Sequence, residues 1–328
     1  MTPETSLTNA IAAVAPGRAT ARLEGARASV MLDVTGLDTA DAQALEVAVR
    51  GAAAASEGVA EVRLALTRAR VKRTVLAVAS GKGGVGKSTV AANLAIALHR
   101  RGRRVGVVDA DIYGPSQPRL LAVEGIKPFA RDKQLHAVPT PSGVSLLSMG
   151  QLVAPDQAIA WRGPMVAGAL GQLMEGDWGA ADTLVIDLPP GTGDVQLTMI
   201  QKHRPAGAII VSTPQDLALI DARRAIDLFR QAGVPIIGLI ENMAGYACPS
   251  CGHVSDPFGS GGAEAAAAAL DIAFLGRIPL AIAIREASDA GRPPAAGNAA
   301  EAAAFAEVAD SVADWIDHLP GTGHAADR

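Results

Sequence analysis

Aromatic residues are scarce in this chain, and cysteine is scarcer still. Phe, Trp and Tyr make up 3% of the 328 residues, too few for the stacking platform that grips single-stranded nucleic acid. Two cysteines exclude a disulfide framework. The net charge of −4 gives no overall basic footprint for a nucleic-acid partner. No stretch of about 18 residues is both apolar and free of charge, so no transmembrane helix is expected. Residues 1–10 lack a basic stretch leading into an apolar one, so no secretory signal is expected either. What is plentiful is apolar surface: 49% of the residues are hydrophobic, ample for a sizeable core. At about 100–200 residues per domain, the length suggests two domains, or one large domain with an appendage. The expectation is a soluble, cytoplasmic globular protein with neither nucleic acid nor membrane as partner.

The pattern along the chain changes near residue 74. Before it, residues 6–15 and 38–55 read as helices and residues 28–34 and 59–66 as strands, a small α/β unit over residues 1–70. Pro16-Gly17 stops the first helix. The basic stretch at 68–73 reads as a linker. After it, short apolar runs recur at 75–79, 105–108, 184–186, 208–211, 236–240 and 272–275, with helical stretches such as 88–101 and 217–232 between them. Fully apolar runs alternating with helices predict strands buried on both faces, hence a mainly parallel sheet flanked by helices over residues 74–320. Residues 321–328 read as a flexible tail. In such folds function sits at the carboxyl ends of the strands.

The first of these ends carries Gly81-Lys82-Gly83-Gly84-Val85-Gly86-Lys87-Ser88-Thr89, followed by an apolar helix. This is the phosphate-binding pattern G-x-x-x-x-G-K-[ST] in its strand–loop–helix setting. The glycines let the backbone wrap phosphates, and the helix start adds its positive dipole end. Lys87 is expected on the β- and γ-phosphates and the Ser88 hydroxyl on Mg²⁺. Only six lysines occur in the chain, and Lys82, which the ordinary pattern does not require, is one of them.

Two further strand ends carry acids. The second run closes in Asp109-Ala110-Asp111, and a buried strand end tolerates such a pair only where it meets cations or water. The run 184–186 closes in Asp187, a Walker B arrangement that would hold Mg²⁺. Pro189-Pro190-Gly191 then forms a stiff turn able to put the Gly191 N–H on a γ-phosphate, which makes the turn a switch. The fifth run ends in Glu241-Asn242-Met243, and the chain has no Asn/Thr-Lys-x-Asp guanine motif, so ATP is expected rather than GTP.

Both cysteines fall in Cys248-Pro249-Ser250-Cys251-Gly252-His253. Two thiolates three positions apart can share one soft metal centre, and a mononuclear site or cubane cluster takes about four ligands. Two protomers supplying a pair each would close that arithmetic. A mixed site with His253, a redox dithiol and a pair of free thiols remain alternatives on spacing alone, as does zinc in place of iron.

The phosphate loop resembles the deviant Walker A motif of the MinD/ParA/NifH class, and the chain as a whole closely resembles the Mrp/ApbC family of P-loop ATPases. The matching segments run from Gly81 to Thr89, from Asp109 to Ser116, through Trp161-Arg162-Gly163-Pro164-Met165, from Asp187 to Asp194, and through Glu241-Asn242-Met243, Cys248 to Gly252 and Ile278-Pro279-Leu280. The resemblance implies a homodimeric ATPase that carries a [4Fe–4S] cluster between two Cys248/Cys251 pairs and passes it from a scaffold to apo iron–sulfur proteins. It implies that Lys82 crosses the dimer interface to the partner's nucleotide and that Asp111, in switch I, orients the attacking water. Asp109 becomes a magnesium ligand of the second sphere, and Asn242 reads the adenine edge. Residues 1–70 loosely resemble a degenerate metal–sulfur-cluster assembly domain that lacks its cysteine and its Asp-Pro. Two alternatives share the motifs: a zinc-linked dimeric ATPase and a MinD- or ParA-like spatial regulator. Against the second, the closing helix at 300–318 carries five acids and no Lys or Arg, unlike a basic membrane-binding helix. Its Phe305, Val308, Val312, Trp315 and Ile316 are expected to pack on the core. Ser148, at an apparent strand end, and Arg162 are open between site and structural roles.

Overall fold

The computed structural model describes residues 2–37, 39–67, 73–131, 134–152 and 163–320. It divides into two compact units, one of residues 1–72 with Gly179–Ala181, the other of the rest.

In the small unit two helices, Pro3–Val14 and Thr39–Ala54, accompany a three-stranded sheet. Thr2 caps the first helix by accepting the Thr5 N–H. The strand Arg27–Asp33 lies in the middle, antiparallel to Ala19–Glu24 and parallel to Glu61–Thr67. Its alternate residues Ala28, Val30 and Leu32 are buried with Leu7, Ile11 and Val49 from the helices. The strand Ala19–Glu24 was not among the expected elements. Its arginine and glutamate, and its merely partial burial on alternate residues, leave little hydrophobic signal. The expected linker falls mostly outside the described residues.

The large unit is built on a nine-stranded sheet. From one edge its order is Val138–Pro139, Ser145–Ser148, Val105–Asp109, Thr183–Asp187, Thr74–Ala79, Gly207–Ser212 and Ile236–Ala247, the last of which pairs with both Val254–Ser255 and Phe274–Leu280. Every pairing is parallel except those of the two-residue strands Val138–Pro139 and Val254–Ser255. Val105–Asp109, Thr183–Asp187 and Gly207–Ser212 are buried along their whole length, as continuous apolar runs require. The helix Lys87–Arg100 is buried on nearly all sides.

The closing helix Ala300–Asp317 buries Phe305, Val308, Val312 and Ile316 at helical spacing, with Trp315 packed partly against the same core, as expected. Phe305→Ala should therefore cost about 3–5 kcal/mol of unfolding free energy, read from denaturant midpoints; a loss below about 1 kcal/mol would contradict this packing. Among the described residues no helix is long and apolar enough to cross a membrane.

The register of the parallel strands decides what meets at their carboxyl ends. Ser148 lies beside Asp109, Asp109 beside Asp187, and Asp187 beside Val78, three residues before Gly81 of the phosphate loop. Side chains scattered over about a hundred positions thus form one row.

Candidate nucleotide site and cysteine turn

The loop after Thr74–Ala79 needs its glycines for two physical reasons. At Gly81 a Cβ would run into the backbone of Asp221 in the helix Asp216–Gln231. At Gly86 the backbone is left-handed, with φ of +79°, and a Cβ would strike the Asn242 amide. Gly83 and Gly84 are exposed, Val85 is buried, and Ser88 and Thr89 are half-buried in the first turn of the helix.

Lys87 and Asp187 form a buried ion pair, Nζ to Oδ1, and the Ser88 hydroxyl lies 3.4 Å from the same Nζ. The other oxygen of Asp187 accepts a hydrogen bond from Gln117 Nε2 at 2.8 Å. Gln117 Nε2 also donates to the Ser88 carbonyl at 2.9 Å. Asp109, fully buried, accepts from Ser148 Oγ at 2.9 Å, from the Gln117 N–H at 3.2 Å and from the Asp111 N–H at 3.2 Å. Burial, and the neighbouring Asp187 carboxylate after it, push the Asp109 carboxyl up to about 8. Asp111 is buried, and its carboxylate accepts the N–H groups of Tyr113 and Gly114 at 3.1 and 3.2 Å, a short side-chain turn that fixes residues 111–114. The donor set is all oxygen and suits magnesium: the Ser88 hydroxyl and the Asp187 carboxylate, with Asp109 behind them.

Two expected groups are engaged within the protein. The Gly191 N–H donates to the Ser80 carbonyl at 3.0 Å, so the switch turn is tied to the loop that precedes the lysines. The Asn242 amide donates to the Val85 carbonyl at 2.8 Å, and so braces the phosphate loop from the neighbouring strand end. The next residue, Met243, has φ of +60°, a left-handed conformation that is uncommon for a side-chain-bearing residue. Glu241, fully buried, accepts from the N–H groups of Gly261 and Ala263 and from Arg277. The half-buried Lys82 makes no side-chain hydrogen bond or ion pair among the described residues. Trp161 and Arg162 lie outside the described residues.

Ser148, open in the sequence, belongs to the site through Asp109. Gln117 was missed. It is a lone polar residue at the start of the four-residue helix Gln117–Leu120, and no spacing rule singles it out.

The cysteines sit at the far end of the strand that carries Asn242. Tyr246 and Ala247 pair antiparallel with Ser255 and Val254, and the connection 248–253 forms the turn. The Cys248 N–H donates to the His253 carbonyl at 2.9 Å, and the Gly252 N–H to the Cys248 carbonyl at 2.8 Å, with Gly252 left-handed at +72°. Cys248 is half-buried and Cys251 exposed. The N–H groups of Ser250 and then Cys251 hold the Cys248 thiol below its ordinary value, favouring the thiolate that binds metals. Among the described residues no three His, Cys, Asp or Glu side chains are grouped to hold one metal ion.

Comparison with known proteins places this geometry. The sequence model of a ParA-type family described as NUBPL iron-transfer P-loop NTPase matches residues 70–313. A protein of Pseudomonas fragi named iron–sulfur cluster carrier protein is 51% identical over 225 residues, 68% of this chain and 78% of its own. A nucleotide-binding protein of Archaeoglobus fulgidus, solved in complex with ADP, superposes with a TM-score of 0.60 at 40% identity, covering 67% of this chain and 86% of that one. The cell-division ATPase MinD of Pyrococcus furiosus shares the fold at a TM-score of 0.55 and 25% identity, over 74% of this chain and 99% of its own. Since the matched region contains every parallel strand of the large sheet, the phosphate loop and the cysteine turn, the chain belongs to the NUBPL iron-transfer P-loop NTPase family.

Proposed function

We propose that this protein is a cytoplasmic ATP-hydrolysing carrier that holds a [4Fe–4S] cluster as cargo between the cysteine turns of two copies and delivers it to apo-proteins. One observation carries the reading. The strand Ile236–Ala247 has Asn242 against the phosphate loop and ends one residue before Cys248, so one strand, irregular between Asn242 and Tyr246, joins the two sites. Six residues of chain span at most about 20 Å, close enough for a shift at the nucleotide to be felt at the thiols.

The chemistry follows from the side chains. Lys87 leaves Asp187 to neutralise the β- and γ-phosphates, and the loop N–H groups bind the remaining oxygens. Ser88 and Asp187, with Asp109 behind them, would hold magnesium, which would supply further charge neutralisation at the phosphates. Asp111, fixed by its own turn, orients the attacking water. The Gly191 N–H exchanges the Ser80 carbonyl for the γ-phosphate, which makes its turn a sensor of hydrolysis. Asn242 contacts the adenine edge, and Lys82 reaches the nucleotide of the second copy. Residues 1–70 form a separate domain, without cysteines, that recognises partner proteins.

The test is Asp111→Asn. Hydrolysis should fall by about 10²–10⁴-fold, the usual weight of a positioned proton acceptor, with ATP still bound and cluster delivery to an apo-protein no longer altered by ATP. Normal hydrolysis in this variant would remove Asp111 from the mechanism.

The raised Asp109 carboxyl predicts a pH dependence. Below about 8 it keeps its proton, and a cation held in front of it by Ser88 and Asp187 would favour the charged form and release that proton. The apparent affinity for Mg²⁺ in the presence of ADP should therefore rise from pH 6 to pH 8 and level off above. By the same linkage, the stability that Asp109 lends the metal-free fold is complete below its ordinary value of 3.8 and is lost as the pH rises through about 8. Magnesium titrations at several pH values, followed with a fluorescent ADP analogue, read this directly. An affinity flat across that range would contradict it.

A further inference from the structure

Gln117 is fully buried and carries more of the metal site than any sequence motif suggested. Its backbone N–H holds Asp109. Its side-chain amide bridges the Ser88 carbonyl and the Asp187 carboxylate, at 2.9 and 2.8 Å. Both partners are pure acceptors, so the NH₂ group must face them and the amide orientation is fixed by chemistry. The oxygen Oε1 must then point the other way, and it is buried with no protein donor. A buried acceptor left in that condition costs about 1–3 kcal/mol, which the two hydrogen bonds donated by the NH₂ group offset.

We infer that Gln117 is a positioning residue for magnesium: its NH₂ group locks Ser88 and Asp187 in place. The inference rests on the reading of Ser88 and Asp187 as the magnesium site. It assigns switch I a second task beside Asp111. The segment from Asp109 to Gln117 closes on both the phosphate loop and the Walker B strand through this one side chain. A displacement of switch I therefore withdraws a support of the metal site.

The experiment uses the full chain and a fluorescent ADP analogue, titrated with Mg²⁺ and, separately, bound in excess chelator. Gln117→Leu fills a similar space without hydrogen bonds. Its half-saturating Mg²⁺ concentration should rise about 10–100-fold, the usual effect of losing a group that orients metal ligands, while metal-free ADP affinity stays at the wild-type value. Gln117→Asn, whose amide falls one carbon short of both partners, should move the Mg²⁺ requirement in the same direction and keeps the position polar if the leucine variant does not fold. A wild-type Mg²⁺ requirement in either folded variant overturns the inference. So does an equal loss of metal-free ADP affinity, which would mark a merely structural role. Wild-type protein whose ADP binding ignores Mg²⁺ would overturn the magnesium site itself and this inference with it, an outcome distinct from a normal wild-type response unaffected by the variants.

Discussion

Replacing Lys87 by alanine is expected to damage the protein twice. Lys87 is the only cation paired with Asp187 among the described residues, and both side chains are buried, with Asp109 close by. Removing it leaves the Asp187 carboxylate without a counter-charge in a dry site, which costs about 3–5 kcal/mol when one partner of a buried pair is deleted. The same change removes the phosphate's main counter-charge, so hydrolysis should fall by at least about 10²-fold, the scale of losing one transition-state donor. Denaturant unfolding and phosphate release measure the two effects separately. Lys82 provides the contrast. Its half-buried side chain has no partner among the described residues, so Lys82→Ala should leave the unfolding midpoint unchanged. If Lys82 serves the nucleotide of a second copy, hydrolysis will be lost nonetheless. Full activity in Lys82→Ala would remove the shared-site dimer, and an unchanged stability in Lys87→Ala would contradict the buried ion pair.

Changing one cysteine to serine should be as damaging to cargo as changing both. A homodimer built from a single variant loses two of four thiolates, because each copy carries the change. Serine keeps the shape but offers a hard, protonated hydroxyl in place of a soft thiolate, and iron–sulfur clusters are held by thiolates. Cys248→Ser also discards the sulfur that the Ser250 and Cys251 N–H groups stabilise as an anion. Cluster retained after reconstitution should drop to background in either variant. Stability should change by less than about 0.5 kcal/mol, as for most surface substitutions, because the turn is exposed or half-buried. Nucleotide binding should persist. A variant that keeps its full iron content would place the cluster elsewhere.

The part of this site that was legible in the sequence is the part whose chemistry demands particular residues at particular spacings. Gly81 and Gly86 can be nothing larger, since Asp221 and Asn242 occupy the space a Cβ needs. Lys87 and Asp187 announce themselves by their motifs, and the buried strands by unbroken apolar runs. The small N-terminal helices and two of its strands followed their hydrophobic periods to within a few residues. Gln117 and the role of Ser148 were not legible in the same way. Each reaches its partner through strand register and a short helix, that is, through pairing decided between segments far apart in the chain. The strand Ala19–Glu24 escaped notice although its apolar and polar residues alternate, because two of its three inward residues are alanines, which are poor strand formers with little hydrophobic weight. The present partners of Gly191 and Asn242 were equally invisible, because a sequence motif names the ligand a group will meet and not the backbone oxygen it holds meanwhile.

The central claim is that two copies hold one cluster with four thiolates. It is tested most directly by purifying the protein without oxygen, reconstituting it with iron and sulfide, and measuring iron, sulfide and zinc per dimer beside the Cys248→Ala, Cys251→Ala double variant. The account predicts about four irons and four sulfides per dimer, absent from the variant. One tightly held zinc with no sulfide would contradict it and leave a zinc-linked dimeric ATPase in its place.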